Sequence, residues 1–308
     1  MAYGGSNVIL TNADSAGFVP EIWSDEIFAS KKANLVLASL VRRLSVKGKK
    51  GNAVNLPVPA RGSATAKSAN TIVATITESG NDVQISLTAH WEYSRLIEDP
   101  VTIQGTPSLR KFYTDDAGYA LATAVDNTLF NAARNLNGGN GLAEWTAAVI
   151  AGDGTTAFVD AAGNANATAI TDAGIRRAIQ VLDDANMPMN DRFLVVPPVG
   201  RRVMMGLARF TEQAFSGNGD PIRNGKLGSV YGMTVHASSN CPSPSLGTTV
   251  KIGLLSHRDA LVLAEVLGPR VQTQYKQEYL ATLLTADTIF GCGEVYDAGG
   301  LALAMPST

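Results

Sequence analysis

The sequence carries little charge. Only 17% of its 308 residues are Asp, Glu, Lys or Arg, against about 25% in an ordinary soluble domain, which implies that much of its surface is covered. Cysteine is nearly missing as well. Cys241 and Cys292 stand in neither a CxxC spacing nor a framework of several pairs, so both are expected to be small buried hydrophobes and not disulfide or metal partners. No charge-free apolar run approaches the ~20 residues that span a bilayer. The first positive charge is Lys31, and the Lys31-Lys32 pair ahead of Ala33 to Val41 lies behind Asp25 and Glu26, a poor match to a secretory signal. A protein made in the cytoplasm, without a membrane partner, is expected.

Catalytic signatures are missing too. His90, His236 and His257 are far apart, and none has a His or Glu at a metal-binding helical offset. There is no GxSxG elbow and no HExxH motif. Gly152-Asp153-Gly154-Thr155-Thr156-Ala157 satisfies a relaxed dinucleotide fingerprint, but no strong strand precedes it and no helical pattern follows, so it reads as a loop. Gly219 to Leu227 resembles a phosphate-binding loop, yet five residues separate its glycines and Leu227 stands where Ser or Thr should reach Mg²⁺. The pairs Glu98-Asp99, Asp115-Asp116 and Asp183-Asp184 hold adjacent residues, which point in different directions on a helix and suit a solvated face. No enzyme, no cofactor and no metal is expected.

What is present is an ordered succession of elements of the α+β class. Residues 1 to 19 read as an extended arm. Pro20, the acids Glu21, Asp25 and Glu26, and the apolar spacing Leu37, Leu40, Val41, Leu44 predict a helix, or two short ones, over about 21–44. Val54 to Pro59 reads as an edge strand because its two prolines cannot donate to a ladder. Thr71 to Thr77 is β-branched, Ser79 to Asp82 supplies turn chemistry, and Val83 to Trp91 alternates. Thr106-Pro107 opens a helix to about 135, rich in small residues. Another helix begins at Thr171-Asp172, Arg192 to Val196 is a buried strand, and Pro197-Pro198 starts a helix carrying Val199, Val203, Leu207 and Phe210. A glycine-rich loop over Ser216 to Gly228 precedes strands that run to the C-terminus.

The charges are segregated. Between Ile27 and Thr77 there is no acid, while Lys31, Lys32, Arg42, Arg43, Lys47, Lys49, Lys50, Arg61 and Lys67 make the segment +9. The residues before it sum to -4 and those after it to -7, giving the net -2. That balance excludes a uniformly basic nucleic-acid binder. Three readings stand: a solvated basic surface, docking on an acidic surface of another copy, or nucleic-acid contact. Phe28 is the segment's only aromatic residue, which weakens single-strand recognition by stacking.

The order of elements, with Arg192-Phe193-Leu194-Val195-Val196-Pro197-Pro198, the run from Gly228 to Pro242, and Ser256-His257-Arg258-Asp259-Ala260-Leu261, resembles the major capsid proteins of tailed bacteriophages, the Hong Kong 97 fold, and the coat proteins of short-tailed phages in particular. The resemblance implies an N-terminal arm over 1–45, an extended β loop over 46–95, a peripheral domain over 96–170 with a spine helix at about 107–135, an axial domain over 171–260, and return strands over 261–308. It implies a subunit that assembles with itself into pentamers and hexamers of an icosahedral phage head around double-stranded DNA, in the host cytoplasm. A portal protein, a separate scaffolding protein (the chain lacks the cleaved prefix of some relatives) and a decoration protein are the implied partners. No Lys to Asn isopeptide pair can be placed, so covalent cross-linking is not expected. Intersubunit contact is expected at Lys47, Lys49, Lys50, Arg61 and Lys67, at Asp115 and Asp116 on the spine helix, and at Arg223 and Lys226 in the axial loop. An encapsulin-like nanocompartment is the alternative on the same fold, and a mixed α/β enzyme the lower one.

Overall fold

The structure, a computed structural model, describes residues 35–59, 62–73, 75, 80–100, 109–138, 149–162, 166–207, 228–244, 246 and 248–307. Two sheets and one separate hairpin are organised around a long helix. In chain order the first elements are α1 (Leu37–Leu40), β1 (Arg42–Ser45), β2 (Ala53–Pro59), β3 (Gly80–Ser86), β4 (Ala89–Glu98) and α2 (Leu109–Ala133). There follow β5 (Val149–Ala151), α3 (Asp172–Asp184), β6 (Arg192–Val196), α4 (Pro198–Met205), β7 (Ser229–Val230) and β8 (Met233–Ala237). The C-terminal part holds β9 (Val250–His257), β10 (Leu261–Lys276), β11 (Ala281–Glu294) and β12 (Gly300–Pro306).

The six-stranded sheet has the order β5-β12-β9-β6-β8-β7. Every residue of β6 is buried, because helices cover both faces and a strand between two apolar layers loses the alternation of a half-exposed one. Phe193 and Val195 face a cluster with Leu129, Phe130 and Ala133 of α2. Leu194 and Val196 face Ile175, Ala178 and Leu182 of α3 and Met204 of α4. Arg192, at the strand's start, is buried with a partner at each guanidinium nitrogen: Nε and Nη2 donate to the carbonyls of Pro188 (2.8 Å) and Met187 (2.6 Å), and Nη1 pairs with Asp183 at 2.7 Å. Asp183 is therefore tied to the strand it precedes, not simply solvated as expected.

The four-stranded sheet has the order β1-β10-β11-β4. β10 and β11, of 16 and 14 residues, form a long hairpin closed by a 3₁₀ turn and by Leu280 in the left-handed region at φ 45°. Ala117 and Leu121 of α2 pack on Ala286, beside Tyr93 of β4. α2 thus serves both sheets, which explains why its apolar residues are spread around it and not confined to one stripe. At 25 residues it is about 38 Å long.

The helix expected over 21–44 ends early among the described residues. Only Leu37–Leu40 is helical, and Arg42–Ser45 is extended, pairing in parallel with Val262–Glu265. Partner strand β10 lies far along the chain and overrides the local helical spacing. Thr71–Val73 and Thr75 are not in a strand, and β3 begins at Gly80, taking in the Asn81 and Asp82 read as a turn. Register explains this: β3 matches β2 along its whole length, from Pro59↔Gly80 to Ala53↔Ser86. α4 stops at Met205, so Leu207 lies beyond it, and Phe210 is outside the described residues.

The Gly152–Ala157 segment is a tight turn in which Asp153 accepts from the backbone N–H groups of Thr155 and Thr156, both at 3.1 Å, and from the Thr156 hydroxyl at 2.8 Å. Those bonds, with the Thr155 N–H foremost, hold the Asp153 carboxyl below the usual range. Its glycines have a packing reason. A Cβ on Gly154, at φ +80°, would meet the Gly174 Cα at 2.5 Å, in the first turn of α3. The loop expected there is present, and its glycines permit backbone contact with a helix.

Candidate intersubunit surface

The basic segment divides into paired and unpaired charges. Arg42 lies 3.7 Å from Asp259, and Arg43 lies 4.0 Å from Glu265 while donating from Nε to the Ala38 carbonyl at 2.9 Å. These two arginines fasten β1 to its own sheet. Lys47, Lys49 and Lys50 instead sit on the exposed connection from β1 to β2, where Gly48 takes φ +81°. Lys67 lies in the exposed stretch 62–73, which also presents Ile72 at 97% exposure. None of the four lysines has an ion-pair partner among the described residues. Arg61, Arg223 and Lys226 lie outside the described residues.

On α2 the expected acidic pair is split. Asp115 is exposed, whereas Asp116 accepts a hydrogen bond from the Tyr93 hydroxyl at 2.8 Å. Arg95 donates from Nε to the same hydroxyl at 3.1 Å, and its guanidinium lies 5.8 Å and 5.7 Å from the rings of Tyr93 and Tyr113. Burial raises the Tyr93 phenol above its ordinary value. Asp99 is likewise engaged, by the Tyr275 hydroxyl at 2.7 Å. Of these acids Asp115 is the one turned to solvent without such a bond.

The sequence did not point to two buried polar centres. Asp126 of α2 is fully buried and accepts from the Leu37 N–H at 3.0 Å and from Asn240 Nδ2 at 2.9 Å. Burial pushes its carboxyl up, while the bonds from Asn240, Leu37 and Ala38 pull it back. The available signal was an acid set between Val125 and Leu129-Phe130, on the side of α2 that carries core residues. Asp287 of β11 is held by Arg270 of β10 through bonds of 2.7 and 2.9 Å, with His90 Nε2 at 3.4 Å. Both centres hold elements together.

Among the described residues there is no group of three His, Cys, Asp or Glu side chains placed to hold a metal ion, and no helix long and apolar enough to cross a membrane. His257 is buried and accepts at Nδ1 from the Asp259 N–H at 3.1 Å. Burial lowers His236. Cys241 is buried as expected, whereas Cys292 is only partly buried at the edge of the core; burial raises both thiols, Cys241 to about 12 and Cys292 to about 11, as suits unreactive cysteines.

Solved structures share this arrangement over nearly its whole length. A protein of Mycobacterium phage Che8 superposes with a TM-score of 0.72 at 21% identity, covering 93% of this chain and 97% of that one. The capsid of Cyanophage P-SCSP1u gives 0.72 at 16% identity, with 96% and 95% covered. The acidic stable capsid of Helicobacter pylori bacteriophage KHP30 gives 0.72 at 13%, with 98% and 99% covered. No curated protein matches the chain. The long helix between two sheets, the projecting hairpin and this likeness define a Hong Kong 97-type capsid fold. Residues 106–300 match the phage capsid protein family, and the chain belongs to that family: it is a major capsid subunit, a structural component of the virion that assembles with its own kind.

Proposed function

We propose that this subunit closes into pentamers and hexamers of an icosahedral head around double-stranded DNA, assembled in the host cytoplasm. A portal protein, a separate scaffolding protein and a decoration protein complete the particle. In this reading residues 1–45 are the arm, 46–95 the extended loop, 96–170 the peripheral domain with α2 as its spine, 171–260 the axial domain, and 261–308 the return strands. Arg223 and Lys226, in the loop of residues 216–228, meet their counterparts around the capsomer axis.

The observation that carries the reading is the state of the basic loop. Lys47, Lys49, Lys50 and Lys67 are exposed without an ion-pair partner among the described residues, while Arg42 and Arg43 of the same segment are paired. Charges of one sign gathered on a projecting element suit recognition of an acidic neighbour, to which Asp115 and the acidic remainder of the chain contribute. Such matching sets register and association rate, and apolar burial supplies most of the affinity. Lys67 shares the exposed stretch 62–73 with Ile72 and Val73, which are 97% and 66% exposed, so charge and apolar surface lie on one segment.

Joint reversal of Lys49, Lys50 and Arg61 to Glu tests this. Folded subunits that form no shells are expected, and normal particles would overturn the role assigned to the loop. Nuclease-protected, genome-length DNA in purified particles is expected; particles with protein cargo and no DNA would make the shell an encapsulin-like nanocompartment instead.

A further inference from the structure

A strand at the edge of a sheet offers unpaired N–H and C=O groups to any other strand, and proteins blunt such edges with short length, charge, proline or bulges. Most edges here are blunted. β1 has four residues, two of them arginine, β5 has three and β7 two, and β2 carries two prolines. β4 is different. It is ten residues long without proline or glycine, ends the order β1-β10-β11-β4, and keeps an unbroken register with β11 from Ala89 to Glu98. Seven of its ten residues are exposed, Trp91 and Leu96 among them. No strand among the described residues lies on its outer side.

We infer that β4 pairs with β4 of a second copy, antiparallel about a two-fold axis through Ser94. The strand's own sequence selects the register. In an antiparallel ladder the outward N–H and C=O groups belong to alternate residues, so two copies bond only when odd residues meet odd and even meet even, which puts one residue on the axis. Glu92 on the axis would face itself, and Arg95 on the axis would face itself and set Glu92 against Glu98. Like charges directly opposite are destabilising. Tyr93 on the axis opposes no like charges, but it sets His90 against Leu96 and leaves Glu98 beyond the ladder. Ser94 on the axis sets Trp91 against Ile97, Tyr93 against Arg95, Glu92 against Leu96 and His90 against Glu98. An aromatic residue opposite a β-branched one and a guanidinium at a phenol ring are stabilising pairs, and His90 gains an acid. The inference rests on the capsid reading and deepens it. A two-fold contact matches one patch with itself, whereas the contacts that close a pentamer or hexamer run head to tail, so β4 joins one ring to the next.

The test is disulfide trapping in the full-length chain carrying Ser94→Cys, at an exposed position. Directly opposed Cα atoms of an antiparallel pair lie about 4.5–5.5 Å apart, within the reach of a disulfide. Oxidation at about pH 8, where an ordinary thiol near 8.5 is partly ionised, should give a covalent dimer on non-reducing gels. The native thiols, raised to about 12 and about 11 by burial, stay protonated there. The dimer should exceed that from Leu96→Cys at least about tenfold, because the two copies of residue 96 are then too far apart to bridge. Ser94→Arg sets two guanidinium groups against each other on the axis and should lower the dimer fraction of unassembled subunits about fivefold in sedimentation, with the urea midpoint of the chain unchanged. A Ser94→Cys chain that stays monomeric on oxidation while shells form normally, or a dimer that forms as readily from Leu96→Cys, would overturn the inference and leave the capsid reading intact. Failure of the wild-type chain to form particles under any condition would count against that reading itself.

Discussion

The carboxylate of Asp126 accepts a hydrogen bond from the backbone N–H of Leu37, 89 residues earlier in the chain, at 3.0 Å. It caps α1 from the side of α2, and the same carboxylate takes a bond from Asn240 at 2.9 Å. One fully buried acid therefore joins the start of α1, the long helix, and the loop after β8.

Replacing Asp126 by Ala leaves the N–H groups of Leu37 and Ala38 without their acceptor in a dry site. At about 1–3 kcal/mol for each unsatisfied donor, a loss of about 2–6 kcal/mol is expected in urea unfolding of unassembled subunits, with faster proteolysis ahead of Leu37. Asp126→Asn keeps one acceptor oxygen and should lose less. The pH dependence has a definite sign. Burial raises this carboxyl in the folded chain, so its contribution is fullest below about 3.9, the unfolded value, and fades as pH rises through the raised folded value. The Asn variant should lack that component.

Asp287 behaves in the opposite sense. Arg270, gripping it through two bonds, holds its carboxyl below the usual range, and His90 adds to this. A depressed acid contributes stability above about 3.9, and that contribution disappears as pH falls through the folded value. Arg270→Gln should move the acid-induced opening of the β10–β11 hairpin to higher pH. Trp91, opposite Thr288 and half exposed, reports on this strand, and an unchanged midpoint of its fluorescence transition would remove Arg270 from the explanation.

Local patterns were legible where local forces decide. Thr171 accepts from the Gly174 N–H at 3.0 Å, an N-cap visible in the sequence, and the apolar run Phe193 to Val196 announced a strand covered on both faces. β1 was not legible, because its only ladder partner among the described strands lies at Val262–Glu265 and the spacing of Leu37, Leu40, Val41 and Leu44 is equally helical. The start of β3 at Gly80 was hidden for a similar reason: pairing with Pro59 outweighs the turn preference of Gly-Asn-Asp. In the surface, the run of bases without acids was plain in the sequence. That Asp116 is engaged by Tyr93, and that Arg42 and Arg43 serve their own sheet, depends on residues brought together only by the fold.

Two glycines separate backbone entropy from packing. Gly118 is exposed inside α2, and a Cβ there would meet nothing within 4 Å. Gly118→Ala should stabilise the unassembled subunit by about 0.5–1 kcal/mol, the usual difference between the two residues within a helix. Gly291 of β11 is buried against the hairpin base: a Cβ would run into the Ser86 carbonyl oxygen and lie 3.0 Å from the Leu87 side chain. A backbone oxygen cannot swing aside as a flexible side chain does, so Gly291→Ala should cost about 1–3 kcal/mol. Because Leu87 also lines a groove beside Lys49 and Lys50, the alanine should push the hairpin from its seat and impair assembly more than the stability loss alone accounts for. Unfolding of both variants, compared with their particle yields, checks this; equal yields at matched stability would mean that the seat of the hairpin does not govern assembly.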